Sequence, residues 1–505
     1  VTAAAPRSVV AALLAGCERG AERPLLRFER VTHGYGLVAD AAARVGAALA
    51  ERGVAPGDRV ALFLENSPGF VVSYLGAYFA RAVVVPVNTA YREQELTHIF
   101  RHAGVRLCVA DATRAAVVRD LCGAGALPGF DERAVVSPSE LLAQNAPPRP
   151  PPDLGPDDLA IIGYTSGTTG RAKGAMLTHG NFMSNSAALT AAWGWTHADR
   201  LLLTLPLFHM HGLGVGLHGT LVTGASLDLW RRFDAAAVLA ALAAEPVTMF
   251  FGVPTMYGRL LAAAETRADA PALAAMRLFV SGSAPLPADL FMGFARRFGH
   301  VIIERYGMTE TVMIAGNALD GERRPGAVGW PFPGVAVRVV EPQTRAPLGP
   351  GATGEVEVRG PNVCRGYWED PAATAAALGD DGWFRTGDLG QLDEGGCLTL
   401  NGRARELIIS GGFNVYPREV EDVLAAHPRV AEVAVLGLPD ADLGEAVTAV
   451  VVARDPAPTA AELIELCRGR LAAFKKPRAV HFVAALPRNA LGKVQKHVLK
   501  AQLGR

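Results

Sequence analysis

Short runs of apolar and β-branched residues recur along this chain, each followed by a longer Ala/Leu-rich amphipathic stretch. RVALFL (Arg59–Leu64), AVVVPV (Ala82–Val87) and RLCVA (Arg106–Ala110) are such runs. Helices alternating with apolar strands predict layered α/β architecture with parallel sheets. At 505 residues the chain exceeds one ordinary domain and has length for a large core. Half its residues are hydrophobic and 19% are charged, the profile of a soluble globular protein. Its 49 basic residues balance 49 acidic ones, which argues against a nucleic-acid partner, since those proteins carry a basic surplus. The longest apolar stretch, around Phe70 to Val87, is interrupted by Arg81 and Pro86. It reads as a buried helix running into a strand, so no membrane partner is expected. The first residues show no signal-peptide pattern. The 6 cysteines lack CxxC pairs, which fits a reducing cytoplasm.

The texture changes along the chain. A Pro-rich segment, Ala146 to Pro156, is excluded from helix and central strand and reads as a surface connector. From Gly326 to Gly360, short alternating runs such as VAVRVV and GEVEVRG predict a small β-rich subdomain. Beyond Asn401–Glu421 lies mixed α/β sequence, in which VAEVAVLGLPD and VTAVVVARD read as two strands of a small sheet. The expected organisation is a large N-terminal domain over residues 1–404, of layered α/β subdomains plus the β-rich one. A small C-terminal α+β domain follows over 405–505.

YTSGTTGRAKG, Tyr164 to Gly174, is the densest chemical signal. The apolar LAII, Leu159 to Ile162, precedes it as a buried strand. Glycines let the backbone turn its N–H groups inward to cradle phosphate. Hydroxyls add donors, and Lys173 or Arg171 adds charge for outer phosphates. No Gly-Lys-Ser/Thr follows at Walker spacing, so this is not a P-loop. The alternative is a polar surface turn, which needs far fewer such residues.

Further motifs follow in order: PLFHMHG (Pro206–Gly212), YGMTE (Tyr306–Glu310), GWFRTGD (Gly382–Asp388), GRARELIISGG (Gly402–Gly412) and PRNALGKVQK (Pro487–Lys496). With these, nearly the whole chain resembles the adenylate-forming superfamily of acyl-CoA synthetases, firefly-luciferase-like enzymes and peptide-synthetase adenylation domains. Within it the chain is most like malonyl-CoA synthetases. The resemblance implies that a carboxylate attacks the α-phosphate of ATP to give an acyl-adenylate and pyrophosphate, and that coenzyme A then displaces AMP. It implies Mg²⁺ as cofactor and a mobile small domain hinged at Arg405.

The resemblance also assigns residues. Thr165, Ser166, Gly167, Thr168, Thr169, Gly170 and Lys173 would hold the β- and γ-phosphates. Tyr306, Gly307 and Met308 would line the nucleotide, and Thr309 would donate to the α-phosphate. Glu310, with Thr165, would ligate Mg²⁺ through hard oxygens. Thr309-Glu310 equally fits a helix N-cap with an acidic first turn. Asp388, expected in a turn after Trp383 and Phe384, would accept from the ribose hydroxyls, and Arg403 would contact the nucleotide. Lys493 would bridge the attacking carboxylate and the α-phosphate; Lys496 and Lys500 are its neighbours in competition. His209 joins the catalytic set. Gly411 and Gly412 would line the thiol tunnel, and Lys475, Lys476 and Arg478 would meet the phosphates of coenzyme A or simply form a solvated basic surface.

The acyl pocket departs from relatives that take bulky acids, which carry a small residue before YG; here it is Arg305. VIIERYG reads as a strand, so Val301, Ile303 and Arg305 share one face and Glu304 points to the other. A buried, unpaired guanidinium costs several kcal/mol, on the order of the penalty for any uncompensated charge, so the site should receive an anion such as a second substrate carboxylate. An ion pair with a distant acid, or a surface position, is the alternative. Ser283, in SGSAP from Ser281, and His211 make the pocket smaller and more polar, with Met210 and Met308 as walls able to take an added methyl. His209 and His211 as a metal pair lack a third ligand cluster. Gly214, Gly216 and Gly219 read as a glycine-lightened helix rather than a dinucleotide loop. A carrier-protein-loading enzyme, a luciferase-like oxygenase and a nucleotide-binding regulator are the rival functions.

Overall fold

The computed structural model describes residues 6–165, 172–265, 272–410, 413–440, 442–468, 470–489 and 492–504, with the backbone alone at 405 and 414. The chain divides into two compact units. The first runs to Ala336 and includes Val358–Phe384; the second comprises Val337–Glu357 and Arg385 onward. Compactness thus groups the segment 337–357 with the C-terminal residues. No described helix is long and apolar enough to cross a membrane.

The first unit is α/β, built on two sheets. One has the strand order Val135–Val136, Val105–Ala110, Arg59–Phe63, Val83–Pro86, Leu159–Thr165, Lys173–Thr178, parallel until the last, antiparallel pair. The Val/Ile runs named above are therefore interior parallel strands, covered on both faces and so apolar throughout. The other sheet runs Ala327–Pro331, Ala315–Gly316, Ile303–Tyr306, Leu278–Ser281, Met249–Gly252, Arg200–Leu203, Ser226–Leu229, Pro24–Phe28, Val31–Gly34. It is parallel from Ile303–Tyr306 to Pro24–Phe28.

The apolar stretch from Phe70 is a helix, Pro68–Phe79, followed by the strand Val83–Pro86. Ser67 starts the helix: its Oγ accepts from the Phe70 N–H at 3.2 Å, and Pro68 needs no donor at the first helical position. Every residue from Phe70 to Phe79 is buried, so the helix is core on all sides. It packs on Tyr35–Glu51 at glycine distance: a Cβ on Gly76 would stand 2.4 Å from Val45 Cγ1. The Pro-rich segment carries no helix or strand, as its composition predicts.

The second unit opens with Ala336–Val340, Gly354–Arg359, Phe384–Leu392 and Leu398–Arg403, adjacent in that order. Its other sheet runs Phe413–Val415, Ile408–Ser410, Gly444–Ala453, Val430–Asp440, with Ala479–Phe482 parallel to Gly444–Ala453. The long antiparallel pair is the one expected from VAEVAVLGLPD and VTAVVVARD. Alternation sorts it into two cores. Val435, Val447, Ala449 and Val451 pack with Leu424 and Leu463 from the helices Pro417–Ala425 and Ala460–Arg468. Ala434, Leu436 and Val450 pack on the opposite side with Leu499 of the helix Lys496–Leu503.

Candidate active site

In the first unit, the candidate groups gather at the carboxyl ends of parallel strands, where open α/β sheets place their ligands. Leu159–Thr165 ends on Thr165, which lies opposite Lys173 in the antiparallel pair. Ser166, Gly167, Thr168, Thr169, Gly170 and Arg171 lie outside the described residues. Gly163 brings two motifs together: a Cβ there would approach Thr309 Cγ2 to 2.7 Å. Only glycine lets the YGMTE segment lie against this strand.

Thr309 and Glu310 sit in a turn after Ile303–Tyr306, and no helix begins there. The N-cap alternative is thereby corrected. The turn is tight: a Cβ on Gly307 would fall 2.0 Å from Val312 O. Glu310 is buried, and its Oε1 accepts from the Tyr367 hydroxyl at 3.0 Å. The Lys173 ammonium lies 5.1 Å from the centre of the same tyrosine ring. Burial, reinforced by the Glu310 carboxylate, pushes the Tyr367 phenol far up, so it stays a donor. Tyr367, in CRGYWED, escaped the sequence reading; a polar-edged aromatic in a Gly-containing turn was the available signal.

Arg305 is 3% exposed, and among the described residues its Nε and Nη2 have no hydrogen-bond partner. Burial pushes the guanidinium down to about 9, with Tyr257 and Glu304 pulling the other way, so it remains charged at neutral pH. Glu304 is buried too, and its Oε1 accepts from the Leu286 N–H at 2.9 Å. Gly282 makes room for the arginine, since a Cβ there would meet Cζ at 2.4 Å. Ser281, just before it, is buried with an unpartnered Oγ. Ser283, just after, adopts φ 67° and places Oγ 3.4 Å from His211 Nδ1.

His211 is buried, stacks on Phe251 at 6.3 Å between ring centres, and leaves Nε2 without a partner among the described residues. Burial, then Arg305, pushes His209 down to about 4. The same causes, with His209 added, hold His211 well below its ordinary value. Both imidazoles are neutral at pH 7, and Arg305 is the charge that faces them. His209 Nδ1 accepts from the His211 N–H at 3.3 Å. Met210 is buried between them in sequence, and Met308 is half-buried.

The glycine run is helical but wider than expected: His211–Leu217 is a π-helix that continues as the α-helix His218–Thr223. Close packing explains the glycines, for a Cβ on Gly219 would stand 2.2 Å from the Trp195 ring. Among the described residues no group of three or more His, Cys, Asp or Glu is arranged to hold a metal.

In the second unit, Asp388 stands within the strand Phe384–Leu392, not in a turn. The turn-like TGD pattern is real but local: Gly387 takes φ 68° inside the strand. Asp388 pairs with Arg403 across the ladder, with Arg403 Nε 2.6 Å from Oδ1. Lys493 is held by its backbone, which exchanges hydrogen bonds with Asn489: its N–H donates to Oδ1 at 2.9 Å, and its C=O accepts from the Asn489 N–H at 2.9 Å. Lys496 lies between Glu421 at 2.7 Å and Glu406 at 3.2 Å. Burial disfavours its charge, but the two carboxylates outweigh that and raise its pKa. Lys500 pairs with Glu445 at 3.2 Å, and Lys475 with Glu419 at 2.5 Å. Lys496, Lys500 and Lys475 are thus engaged in ion pairs. Gly411 and Gly412, and the side chain of Arg405, lie outside the described structure.

The family model for AMP-binding enzymes matches residues 14–368, and that for the AMP-binding enzyme C-terminal domain matches 419–493. A feruloyl-CoA synthase from Amycolatopsis sp is 38% identical over 468 residues, 92% of each chain. A malonate–CoA ligase from Arabidopsis thaliana is 36% identical over 479 residues, 88% of this chain and 78% of that protein. The crystal structure of ATP-bound MatB from Rhodopseudomonas palustris superposes with a TM-score of 0.92 at 40% identity, covering 98% of this chain and 99% of that one.

Proposed function

The chain belongs to the AMP-binding enzyme family, and we propose that it is an AMP-forming acyl-CoA ligase whose acid is a short dicarboxylate, malonate first and methylmalonate second. The reaction proceeds through an acyl-adenylate. A carboxylate is a poor electrophile; joined to AMP it becomes a good one, and one hard step is divided in two.

The protein's task in the first half is to align two anions and absorb the charge that builds at phosphorus. Thr165 and Lys173 are assigned to the outer phosphates, Thr309 to the α-phosphate, and Asp388 with Arg403 to the ribose side. Tyr306, Gly307 and Met308 are assigned to the nucleotide wall. Lys493 is assigned the charge-stabilising role between carboxylate and α-phosphate. The residues on the first unit suit Mg²⁺: Glu310 and Thr165 offer hard oxygens of the kind it takes, and Glu310 is a buried carboxylate. The ion would supply charge neutralisation at the phosphates. The small domain over 405–505, hinged at Arg405, is read as the mobile carrier of Lys493. A reducing, cytoplasmic setting is part of the same reading, resting on the lack of CxxC pairs in the sequence.

The choice of acid rests on one observation, the buried Arg305 with unpartnered Nε and Nη2. Feruloyl and malonate ligases are near-equal relatives at 38% and 36% identity, so overall likeness does not rank an aromatic acid against a dicarboxylate. Arg305 does: an apolar ring beside it would leave a charge buried and uncompensated, whereas a second carboxylate supplies charge-assisted, two-pronged hydrogen bonds. His211 Nε2, also without a partner among the described residues, adds a neutral polar group beside Arg305, whereas Ser281, in register with Glu304, faces the other side of the sheet. The test is thioester formation with ATP and Mg²⁺, offering malonate, methylmalonate, succinate, acetate, butyrate and ferulate side by side. Preference for the short dicarboxylates supports the reading; preference for a monocarboxylate keeps the ligase and refutes the substrate.

A further inference from the structure

We infer that Tyr367 is a positioning residue for the nucleotide site, fixing the Glu310 carboxylate that would hold the metal while keeping Lys173 from pairing with it. The inference rests on the ligase reading above and concerns a residue outside its set.

The backbone around Tyr367 is held by Thr374 and by the strand Lys173–Thr178. Gly366 takes φ 118°, and a Cβ there would stand 2.4 Å from Thr374 Cγ2. The Tyr367 N–H donates to Thr374 Oγ1 at 2.9 Å. The Met176 N–H donates to Gly366 O at 2.9 Å and the Trp368 N–H to Gly174 O at 2.8 Å, so the segment lies along the strand Lys173–Thr178. Upstream, the Cys364 N–H donates to Glu310 O at 2.8 Å. One short stretch therefore grips both the lysine's strand and the backbone of Glu310.

The tyrosine side chain repeats that bridge. Its hydroxyl fixes one Glu310 oxygen at 3.0 Å, and with it the plane of the carboxylate. Its ring face carries the Lys173 ammonium at 5.1 Å, an electrostatic seat for a cation that uses no anion. Lys173 makes no ion pair among the described residues. A direct lysine–glutamate pair would neutralise both groups that this site is assigned to present, one to phosphate and one to metal. A neutral donor with a π-face separates them. Hydrogen bonds to a ligating carboxylate typically contribute about 10–100-fold to metal affinity.

The test uses Tyr367→Phe, which keeps the ring and removes the hydroxyl. Affinity for a non-hydrolysable ATP analogue would be measured by calorimetry with Mn²⁺ and with chelator, and Mn²⁺ binding to the enzyme–analogue complex by electron paramagnetic resonance. Metal affinity should weaken about 10–100-fold, with metal-free analogue affinity unchanged. In a Glu310→Gln background the same substitution should add nothing, because the hydroxyl acts through that carboxylate. Unchanged metal affinity, an equal loss with and without metal, or a full loss in the Glu310→Gln background would each overturn the assignment. Wild-type protein that exchanges pyrophosphate into ATP with a carboxylic acid, alongside unchanged Tyr367→Phe, isolates the failure to Tyr367. Wild-type protein with neither exchange nor metal–nucleotide binding overturns the ligase reading and this inference with it.

Discussion

Two arginines of the first unit lie beside buried chemistry and are treated in opposite ways. Arg277 is saturated. Its Nε and Nη2 each reach an oxygen of the buried Asp199 at 2.6 Å, Nη1 donates to Trp193 O at 2.9 Å, and Nη2 reaches Gly194 O at 3.1 Å. Asp199 is completed by the Thr196 N–H and the Thr248 hydroxyl, both at 2.8 Å. Arg305 is more deeply buried, and among the described residues its Nε and Nη2 have no hydrogen-bond partner. A guanidinium used to join strands is finished by the chain itself; on the proposed reading Arg305 is left for a ligand to finish, and the fold carries the cost of its desolvation.

The largest effect expected on stability is at the finished site. Arg277→Ala leaves Asp199 buried and unpaired, and denaturant unfolding should show a loss on the order of 3 kcal/mol. Arg305→Ala should cost little or raise stability, because it removes an uncompensated charge. Equal losses would erase the distinction between the two arginines.

Acid should separate the regions as well. Burial alone would raise the Asp199 pKa, but Arg277, Thr196 and Thr248 outweigh it and hold it below the ordinary value. Its stabilisation is therefore complete above about pH 4 and lost as pH falls through the depressed native value. His209, held neutral at about 4 by burial, works earlier: the unfolded chain binds its proton from about pH 6.5 downward and the folded one does not. Unfolding free energy should fall between about pH 6.5 and 4 by on the order of 1 kcal/mol per pH unit for each such histidine. A flat profile across that window would mean the imidazoles are charged in the native state.

The smallest effect concerns the backbone beside Arg305. Ser283 holds φ 67°, so Ser283→Gly should stabilise by about 1 kcal/mol or less. The lost hydroxyl contact with His211 should raise the KM for malonate only a few-fold. A large rise in KM without change in stability would make Ser283 a principal ligand of the acid.

How far the sequence reveals these sites depends on the range of the contact involved. Alternation in VIIERYG is local, and it predicts Arg305 and Glu304 on opposite faces; Glu304 is spent on the Leu286 N–H. Apolar runs predict the parallel strands because interior strands have no polar face to hide. Patterns shared by two structures mislead: Thr309-Glu310 suits an N-cap and a turn alike, and Thr386-Gly387-Asp388 suits a turn although the strand continues through it. The π-helix at His211–Leu217 is not encoded by local propensity; its first turn lies close to Pro206, where a Cβ on Gly212 would stand 2.4 Å from the carbonyl oxygen. Tyr367 meets Glu310 across 57 positions of chain, and the grouping of 337–357 with the C-terminal unit is of the same long-range kind.

The central claim is that Arg305 is unfinished because the substrate finishes it. The most direct measurement is kcat/KM for malonate and for butyrate, in wild-type protein and in Arg305→Leu. Truncating one partner of a buried charge-assisted pair costs about 2–5 kcal/mol, so malonate should lose roughly 30- to several-thousand-fold. Butyrate should be unchanged or improve. Equal losses on both acids, or malonate turnover left intact, would contradict the account and make Arg305 a structural residue.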